Sequence, residues 1–485
     1  MISAVTLAGC AVGPDFKRPD PPHAERYTAQ KLQLEASTEG DASAQHVVLG
    51  EQLGRNWWQL FKSDQLDDVV MRALAGNRTV VAATSTLAQA QELAAAQAGT
   101  LSPQVGLTAG IGRQKYGAQF LGPLTKPPPF TYFAVGPTVS YALDYTGGVA
   151  RSVEQQYALA EYQHQQLDAA YLAVSGNAVM QVLKIASVQA QIATIQAILE
   201  QDLENLKLVT EAFSAGSVSR LDIVSAESQL ASDTALLPPL RQELSLAQHA
   251  LAIVLGEPPA SASLPAVELS QLALPREIPL SLPSELAHRR PDILAAEAQL
   301  HAATAAVGVA TANLYPHINL TASAGLQSAD FGHLFEGTGS VFGLASSIIA
   351  PLFDGGTLRA ERRAALDAMH ASTAYYEQTV LVAFAQVADS LQALDHGAEQ
   401  LDAQAHAQDA ASENVDLTRK SYLEGNVGVL QVLDAERQYQ QARLGYVQAQ
   451  SQRYFDTVQL FLALGGSGPD TDASAAVNTG KPARR

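Results

Sequence analysis

Hydrophobic and polar positions change their period several times along this chain. From about residue 64, apolar residues recur at the three- and four-residue spacing of a helix that packs by one face. The residues of this stripe are Leu66, Val69, Val70, Ala73 and Leu74. We predict a first helix that begins at Ser63 or Asp64 and continues to Gly99.

Four later segments alternate an apolar residue with a small or polar one, which is the period of a β-strand with two different faces. They are residues 103–112, 132–144, 317–327 and 341–353. Each has roughly the length and alternation of a membrane β-strand. A half-buried strand of a soluble sandwich alternates in the same way. The second face here is mainly Gly, Ser, Thr and Ala rather than charged residues, which favours the lumen of a barrel.

The number of these strands sets a further condition. Four strands are too few to close a barrel, and an open sheet edge is not tolerated in lipid. If the strands contact lipid, strands from several copies of the chain must therefore combine into one closed barrel.

Each strand pair is followed by a very long helical segment, residues 150–213 and 358–422, without proline and with one glycine each. At 1.5 Å per residue such a helix spans roughly 90–100 Å. Each segment ends near Gly216 or Gly425, where we expect a positive φ to end the helix. A return helix of about 35 residues should then run to residue 255 or 464 and complete an antiparallel hairpin.

The two hairpin tips are versions of each other. Residues 213–230 and 422–439 align with an offset of 209 residues, which matches Gly216 with Gly425 and Glu227 with Glu436. A period this long indicates a duplicated half rather than a solenoid.

The expected organisation follows from this repeat. Residues 1–10 are a signal remnant, 11–62 an N-terminal tether and equatorial segment, 63–255 the first repeat, 256–283 a proline-rich connector, 284–464 the second repeat, and 465–485 a disordered tail.

Composition narrows the possible functions. The chain is 47% hydrophobic but only 6% aromatic because much of its apolar content is alanine, which suits long, closely packed helices. A net charge of −18 argues against nucleic acid or an anionic membrane surface as a partner. No run of eighteen apolar residues occurs, so we expect no transmembrane helix.

We predict that the protein is not an enzyme and holds no metal or cofactor. The eleven histidines lack metal-site spacing, and neither a P-loop nor a CxxC motif is present. Asp222 and Asp434 do not form a spaced catalytic pair within one helix.

The single cysteine, Cys10, follows Leu7, Ala8 and Gly9 in a context that resembles a bacterial lipoprotein processing site. At such a site the thiol is acylated and becomes the mature N-terminus. No basic residue precedes Cys10, which departs from the usual signal peptide. An ordinary small residue at this position is the alternative interpretation.

Taken in order, several motifs resemble the outer-membrane efflux channels of the TolC/OprM superfamily, in particular the lipoprotein branch known as the NodT group. They are residues 7–10, 13–19, Trp57–Phe61, 288–293, 352–356 and 422–438. They cover nearly the whole chain, so the resemblance is strong although each motif alone is weak.

The resemblance implies a mixed α and β membrane protein of the Gram-negative outer membrane. Its fold would be a homotrimer with a twelve-stranded transmembrane β-barrel that continues into a periplasmic α-helical barrel. It also implies docking to a periplasmic adaptor and to an inner-membrane pump of the RND class, with a lipid on Cys10. The trimer number comes from the resemblance alone.

The resemblance further implies a periplasmic gate at the hairpin tips. Carried over by position, its residues are Asp222 and Tyr422, which can bond to each other in the family, and Asp434 as an entrance carboxylate. Gln431 stands where the family has a second carboxylate, and Val427 where it has an arginine. Both departures suggest a weaker or differently connected latch.

Each gate residue also has a purely structural interpretation. Ser219 and Asp222 fit a capping box, with Ser219 as N-cap and Asp222 at N3. Asp434 can be a solvated helix residue, and Tyr422 a packing aromatic one turn before Gly425. Arg289 and Arg290, ahead of Pro291, most simply begin a helix.

Three functional hypotheses remain open from the sequence. The first is a passive exit duct for drugs or small toxic molecules, driven by a partner pump. The second is the exit duct of a type I protein-secretion system, against which the lipoprotein-like N-terminus argues. The third is a periplasmic coiled-coil scaffold or adaptor without a pore, which the alternating strands disfavour.

Overall fold

The computed structural model describes residues 11–20, 24, 26–28, 45–116, 128–265 and 267–466. Within these residues the strands are β1 (His46–Leu49), β2 (Gln104–Gln114), β3 (Phe130–Leu143), β4 (Glu277–Leu280), β5 (His317–Ser328) and β6 (Ser340–Ile349). The α-helices are α1 (Asp64–Gly76), α2 (Arg78–Gly99), α3 (Gly148–Ser214), α4 (Arg220–Thr234), α5 (Leu237–Leu255), α6 (Pro283–Leu286), α7 (Pro291–Ala312), α8 (Thr357–Leu423) and α9 (Val429–Ala463).

The chain divides into two compact units. The first takes the described parts of Met1–Pro19, Thr86–His164 and Ala295–Glu377. The second takes those of Asp20–Ser85, Gln165–Leu294 and Gln378–Arg485.

The first unit contains one four-stranded antiparallel sheet in the order β2-β3-β5-β6. Its register places the alternating residues of neighbouring strands on shared faces. Val105, Val139, Ala322 and Leu344 are successive partners on one face, which we call the apolar face. Gly106, Thr138, Ser323 and Gly343 are successive partners on the other, which we call the small face.

The two faces differ in shape as well as in chemistry. Gly136 and Gly325 lie on the small face, where β3 and β5 come very close together. A Cβ on Gly136 would lie 2.0 Å from the Ala324 carbonyl oxygen, and one on Gly325 would lie 2.4 Å from the Val135 carbonyl oxygen. Glycine in a strand often marks such an approach. The close approach of the two strands therefore leaves no room for a side chain at either position.

The apolar face remains open in the single chain. Leu107 is 76% exposed, Phe342 84% and Leu344 81%. Exposed apolar surface of this extent indicates a face that another apolar phase or another molecule covers.

The sequence placed all four strands of this sheet, with one error of extent. The fourth strand was expected to reach residue 353, but β6 ends at Ile349. Pro351 follows two residues later, and proline has no N–H to donate to the ladder.

Helices α3 and α8 are 67 residues long each, as the absence of proline and near absence of glycine predicted. At the start of each of these two helices, a carboxylate accepts hydrogen bonds from backbone N–H groups that have no partner within the helix. Asp144 accepts from the Ala150 N–H at 2.8 Å, and Asp354 from those of Gly356 and Leu358 at 2.9 and 2.7 Å. Such contacts replace the missing hydrogen bonds of a first turn.

The first helix is not continuous to Gly99, as the sequence analysis expected, but is interrupted at Asn77 between α1 and α2. The Asn77 side chain accepts from the Thr79 N–H at 2.9 Å and donates to the Val254 carbonyl at 2.8 Å. A Cβ on Gly76 would lie 2.4 Å from the Leu255 carbonyl oxygen. The end of α5 therefore packs into the break, a tertiary contact that helix periodicity does not reveal.

The return helix of the first hairpin is also divided, into α4 and α5, where a single helix of about 35 residues was expected. Pro238 and Pro239 lie in the first turn of α5. Neither can donate a backbone hydrogen bond to the preceding turn, so the helix must restart there. The second return helix, α9, has 35 residues without a break.

The expectation that no helix can cross a membrane was too strict. By length and composition, α3 and α7 are each apolar enough to do so, but 50% and 56% of their apolar windows are buried inside the protein. Core helices of soluble proteins have the same properties, so we interpret both as packed helices.

The second unit is held together by buried aromatic residues and by arginines that reach backbone carbonyls. Trp57 and Phe61 pack edge-on against Phe461 with ring centroids 5.8 and 6.2 Å apart. Arg290, which directly precedes α7, donates to the carbonyls of Ala383 at 3.4 Å and Ala463 at 2.9 Å, and to the Gln386 side chain. It thus joins the start of α7 to α8 and the end of α9.

Replacing Arg290 should therefore destabilise the second unit. In Arg290→Ala, two buried carbonyls lose a donor, and each buried group left unsatisfied costs roughly 1–3 kcal/mol. We expect a clear decrease in the melting temperature of the purified protein, measured by circular dichroism. Arg289→Ala is the matched control because Arg289 is half-exposed. An equal decrease in both variants would contradict this role for Arg290.

Candidate functional site

The hairpin tips are built by the same backbone geometry in both repeats. Gly216 has φ 75° and Gly425 has φ 79°, in the left-handed region that favours glycine. The Gly216 N–H donates to the Phe213 carbonyl and the Gly425 N–H to the Tyr422 carbonyl, both at 2.9 Å. The predicted role of both glycines as helix terminators is confirmed.

Asp222 lies in the first turn of α4 and caps it. Its Oδ2 accepts from the Ser219 N–H at 2.7 Å and from the Ser219 hydroxyl at 2.8 Å. These hydrogen bonds hold the pKa of Asp222 below its usual value. The capping interpretation is confirmed, and it leaves the gate interpretation untested.

Tyr422 and Asp434 are not joined to Asp222 in the single chain. Tyr422 is half-buried in the last turn of α8, and no hydrogen bond connects it to Asp222 within the described residues. Asp434 is exposed on α9, where it accepts from Arg437 at 2.5 Å and from Gln438 at 2.9 Å. Within the described residues, Asp222 and Asp434 therefore bond to neighbours in their own segments and not to Tyr422.

The departures at 427 and 431 also have local roles. Gly428 is the N-cap of α9, and Gln431 stands three residues later, where its N–H donates to the Gly428 carbonyl at 3.2 Å. Val427 is half-buried in the turn.

Behind the tips lies a buried polar cluster that the sequence analysis did not identify. Glu436 on α9 is 4% exposed and accepts from Arg419 of α8, with Nε at 3.0 Å and Nη2 at 2.7 Å, and from Asn205 of α3. Burial raises the pKa of Glu436, and the Arg419 guanidinium opposes that increase. One carboxylate thus joins three helices from both hairpins.

A second buried carboxyl lies next to the first. Asp202 of α3 is 4% exposed, and its Oδ1 accepts from the Gln440 side chain of α9 at 2.9 Å. Asp233, near the end of α4, lies close enough to Asp202 for the two carboxyl groups to interact. Burial, then the nearby charges of Asp233 and Glu436, raise the pKa of Asp202 to about 6.

The sequence contained a partial signal for this cluster. Asp202 and Asn205, and likewise Glu436 and Gln440, are three or four residues apart, so each pair shares one helix face. Nothing local shows that these faces meet, because the pairs lie more than 230 residues apart.

Among the described residues, no group of three or more His, Cys, Asp or Glu side chains could hold a metal ion.

Comparison with known families shows what this arrangement is similar to. The family described as "Outer membrane efflux protein" matches residues 69–257 and 282–466. Each matched segment covers most of one of the two repeats recognised from the sequence.

Two curated relatives and one solved structure are similar over most of the chain. The pyoverdine export outer membrane protein OpmQ of Pseudomonas aeruginosa is 32% identical over 85% of this chain and 87% of its own length. The toluene efflux pump outer membrane protein TtgF of Pseudomonas putida is 28% identical over 96% of this chain and 95% of its own length. The structure of the outer-membrane channel OprN matches with a TM-score of 0.84 and 28% identity, over 94% of this chain and 99% of OprN.

The contacts of Glu436 lead to a prediction about the tips. Arg419→Ala removes its charged partner, and leaving a buried acceptor underpaired costs roughly 1–3 kcal/mol. Because the pKa of Glu436 should then rise further, the loss should be larger above that pKa, where the group is ionised, than below it. Hydrogen exchange of the first turns of α9 at acid and alkaline pH measures this.

Arg437→Ala is the control for that experiment. Arg437 pairs with Asp434 in an exposed ion pair, and such pairs contribute about 0–1 kcal/mol. Equal increases in exchange rate in the two variants would show that the buried pair has no special role.

Proposed function

Because the chain belongs to the outer membrane efflux protein family, we propose that it is the outer-membrane channel of a tripartite RND-type efflux system. In this role it is a passive duct that exports drugs or small toxic compounds across the outer membrane of a Gram-negative bacterium. The observation that carries the proposal is the pair of repeats, each with two membrane-type strands and a 67-residue helix, together with their match to OprN along nearly the whole chain.

The four-stranded sheet supports an oligomeric barrel. Within the described residues, β2 and β6 each have one edge that no other strand pairs. In lipid, those unpaired N–H and C=O groups must find partners in other copies. Three copies would supply twelve strands, in keeping with the resemblance to this superfamily.

The faces of the sheet suggest its orientation in that barrel. The apolar face carries the exposed Leu107, Phe342 and Leu344 and suits contact with lipid. The small face, which carries Gly136 and Gly325, suits the lumen.

We also propose that Cys10 carries a covalent lipid. Cys10 lies outside the described residues, so the proposal rests on its sequence context and on the segment that follows. Asp15 pairs with Arg151 of α3 at 2.5 Å, and Arg18 pairs with Glu297 of α7 at 2.7 Å. These ion pairs fix the segment after Cys10 to the first unit, which also contains the sheet.

A periplasmic adaptor and an inner-membrane pump are the partners that this function requires. The chain has no P-loop, so the energy for export would come from the pump. The name of TtgF describes it as part of an efflux pump, which supports this division of labour. OpmQ and TtgF are named for different cargoes, pyoverdine and toluene, so family membership does not define the cargo.

We place the gate at Asp222, Tyr422 and Asp434. All three belong to the tip hairpins or to the first turns that follow them. Around a threefold axis, Asp434 would occur three times near the mouth, where it would attract cations. Gly216 and Gly425 hold the turns that present these residues.

The gate can be tested in planar lipid bilayers. If Asp222 and Tyr422 hold the tips closed, Asp222→Ala and Tyr422→Phe should each increase basal conductance several-fold. Absence of any channel, even in these variants, would count heavily against the duct. Asp222→Asn serves as a control for the cap because its amide oxygen still accepts the Ser219 hydrogen bonds.

The orientation of the barrel can be tested with a pair of neighbouring residues. Leu344 lies on the apolar face and Ala345 on the small face of β6. An arginine facing lipid costs about 2–4 kcal/mol at the bilayer midplane. Leu344→Arg should therefore reduce the yield of heat-modifiable oligomer in membranes, whereas Ala345→Arg should assemble. The reverse result would place the small face toward lipid.

A further inference from the structure

We propose that Asp202 is a proton-binding carboxyl that, together with its partner Asp233, forms a carboxyl pair holding α4 against α3, and that the contact is released when Asp202 loses its proton. The inference concerns the first hairpin itself, and its consequence for conductance rests on the proposed function.

The surroundings of Asp202 favour its protonated form. Its Oδ1 is hydrogen-bonded to Gln440, but its Oδ2 is buried and receives no N–H or O–H donor within the described residues. The group that it contacts on α4 is another carboxyl, Asp233, whose Oδ2 already accepts from Gln229 at 2.7 Å. Ionised carboxylates only accept hydrogen bonds, so two of them in contact attract each other only when one carries a proton.

The remaining groups around Asp202 do not stabilise a second negative charge. On α9, Gln440 is neutral and Glu436 is negative when ionised; on α3, Glu204 adds a further carboxylate near Glu436. The cation in this cluster, Arg419 of α8, binds Glu436. Burial and these carboxylates therefore favour the protonated form of Asp202.

The direction of the pH effect follows from this. The pKa of Asp202 is raised to about 6 from an ordinary value near 4. Its contribution to the packing of α4 is fully present below the ordinary pKa and is lost as the pH rises through about 6. Acid should close the hairpin and neutral or alkaline conditions should loosen it.

Because of the position of Asp233, loss of its contact with Asp202 would allow α4 to move. Asp233 is the second-last residue of α4, directly before the break that precedes Pro238 and Pro239. Because no helical hydrogen bonds from these prolines cross the break, α4 can move while α5 stays packed. The fifteen residues of α4 include Asp222, so the movement would displace a proposed gate residue.

The second hairpin has neither the carboxyl pair nor the helix break. With the offset of 209 residues, Asp202 corresponds to Ala411, Asp233 to Ala442 and Pro238 to Val447. The corresponding helix, α9, is continuous. The carboxyl pair and the helix break thus occur together in one repeat and are both absent from the other.

Spin labels at the two tips can detect the movement. Labels at Ser217→Cys and Asn426→Cys, in a Cys10→Ser background, report the distance between the hairpin ends. We expect the distance distribution to broaden and lengthen between about pH 5 and pH 8. In Asp202→Asn, the amide can donate to Asp233 at any pH. The distance distribution of this variant should therefore stay the same, from about pH 5 to pH 8, as that of the native chain at acid pH. Asp416→Asn on α8, an exposed carboxyl, should retain the full pH response.

Infrared spectroscopy gives a readout that a purely structural role would not change. In the difference spectrum between the native chain and Asp202→Asn, a protonated carboxyl band should be present at about pH 5 and should be lost as the pH rises through about 6. Asp233→Asn, as a second variant, should also abolish the pH response of the labels. A pH-independent distance in the unmodified pair, or a response that survives Asp202→Asn, would overturn the proposal.

Conductance separates this inference from the proposed function. In the native chain we expect several-fold higher conductance at about pH 8 than at pH 5, and a constant low value in Asp202→Asn. If the labels respond but no variant ever conducts, the channel function fails while the carboxyl pair stands. If the channel conducts without any pH response of the labels, the carboxyl pair fails alone.

Discussion

The constraint on which this structure depends is the hydrogen bonding of a sheet that has two open edges. Among the described residues, the sheet β2-β3-β5-β6 pairs both edges of its inner strands, whereas one edge of β2 and one of β6 have no partner strand. The apolar face of the same sheet is largely exposed. Exposed apolar surface and unpaired strand edges are each unfavourable, the first in water and the second in lipid. The proposed oligomer would remove both because further copies would pair the edges and leave the apolar face toward lipid.

Duplication explains why the fold is so regular, and its exceptions show where the two repeats have diverged. Helices α3 and α8 have equal length, and both end in the same glycine turn. The return helices differ, since Pro238 and Pro239 divide the first while the second is continuous. If the copies form a ring, divided and continuous return helices alternate around it. A movement at the mouth would then begin at the divided ones.

The sequence predicted those features that depend on local chemistry. Alternation located β2, β3 and β5, the lack of proline predicted α3 and α8, and the glycines marked both turns. It missed the break at Asn77 because that break is made by contact with the end of α5, far away in sequence. The buried cluster of Glu436, Arg419 and Asn205 was missed for the same reason. Pro238 and Pro239 are a local signal of the divided return helix, because neither can donate a backbone hydrogen bond to the preceding turn.

The capping role of Asp222 does not exclude its role in a gate. Both capping hydrogen bonds from Ser219 reach Oδ2, which leaves Oδ1 able to accept a further donor. A tyrosine hydroxyl from another hairpin could donate to Oδ1 while the capping hydrogen bonds of α4 remain in place. The lowered pKa of Asp222 keeps that oxygen charged across the physiological range, and charged acceptors make the stronger hydrogen bonds. Cap and latch can therefore share one carboxylate, so that a change in the gate leaves the helix start intact.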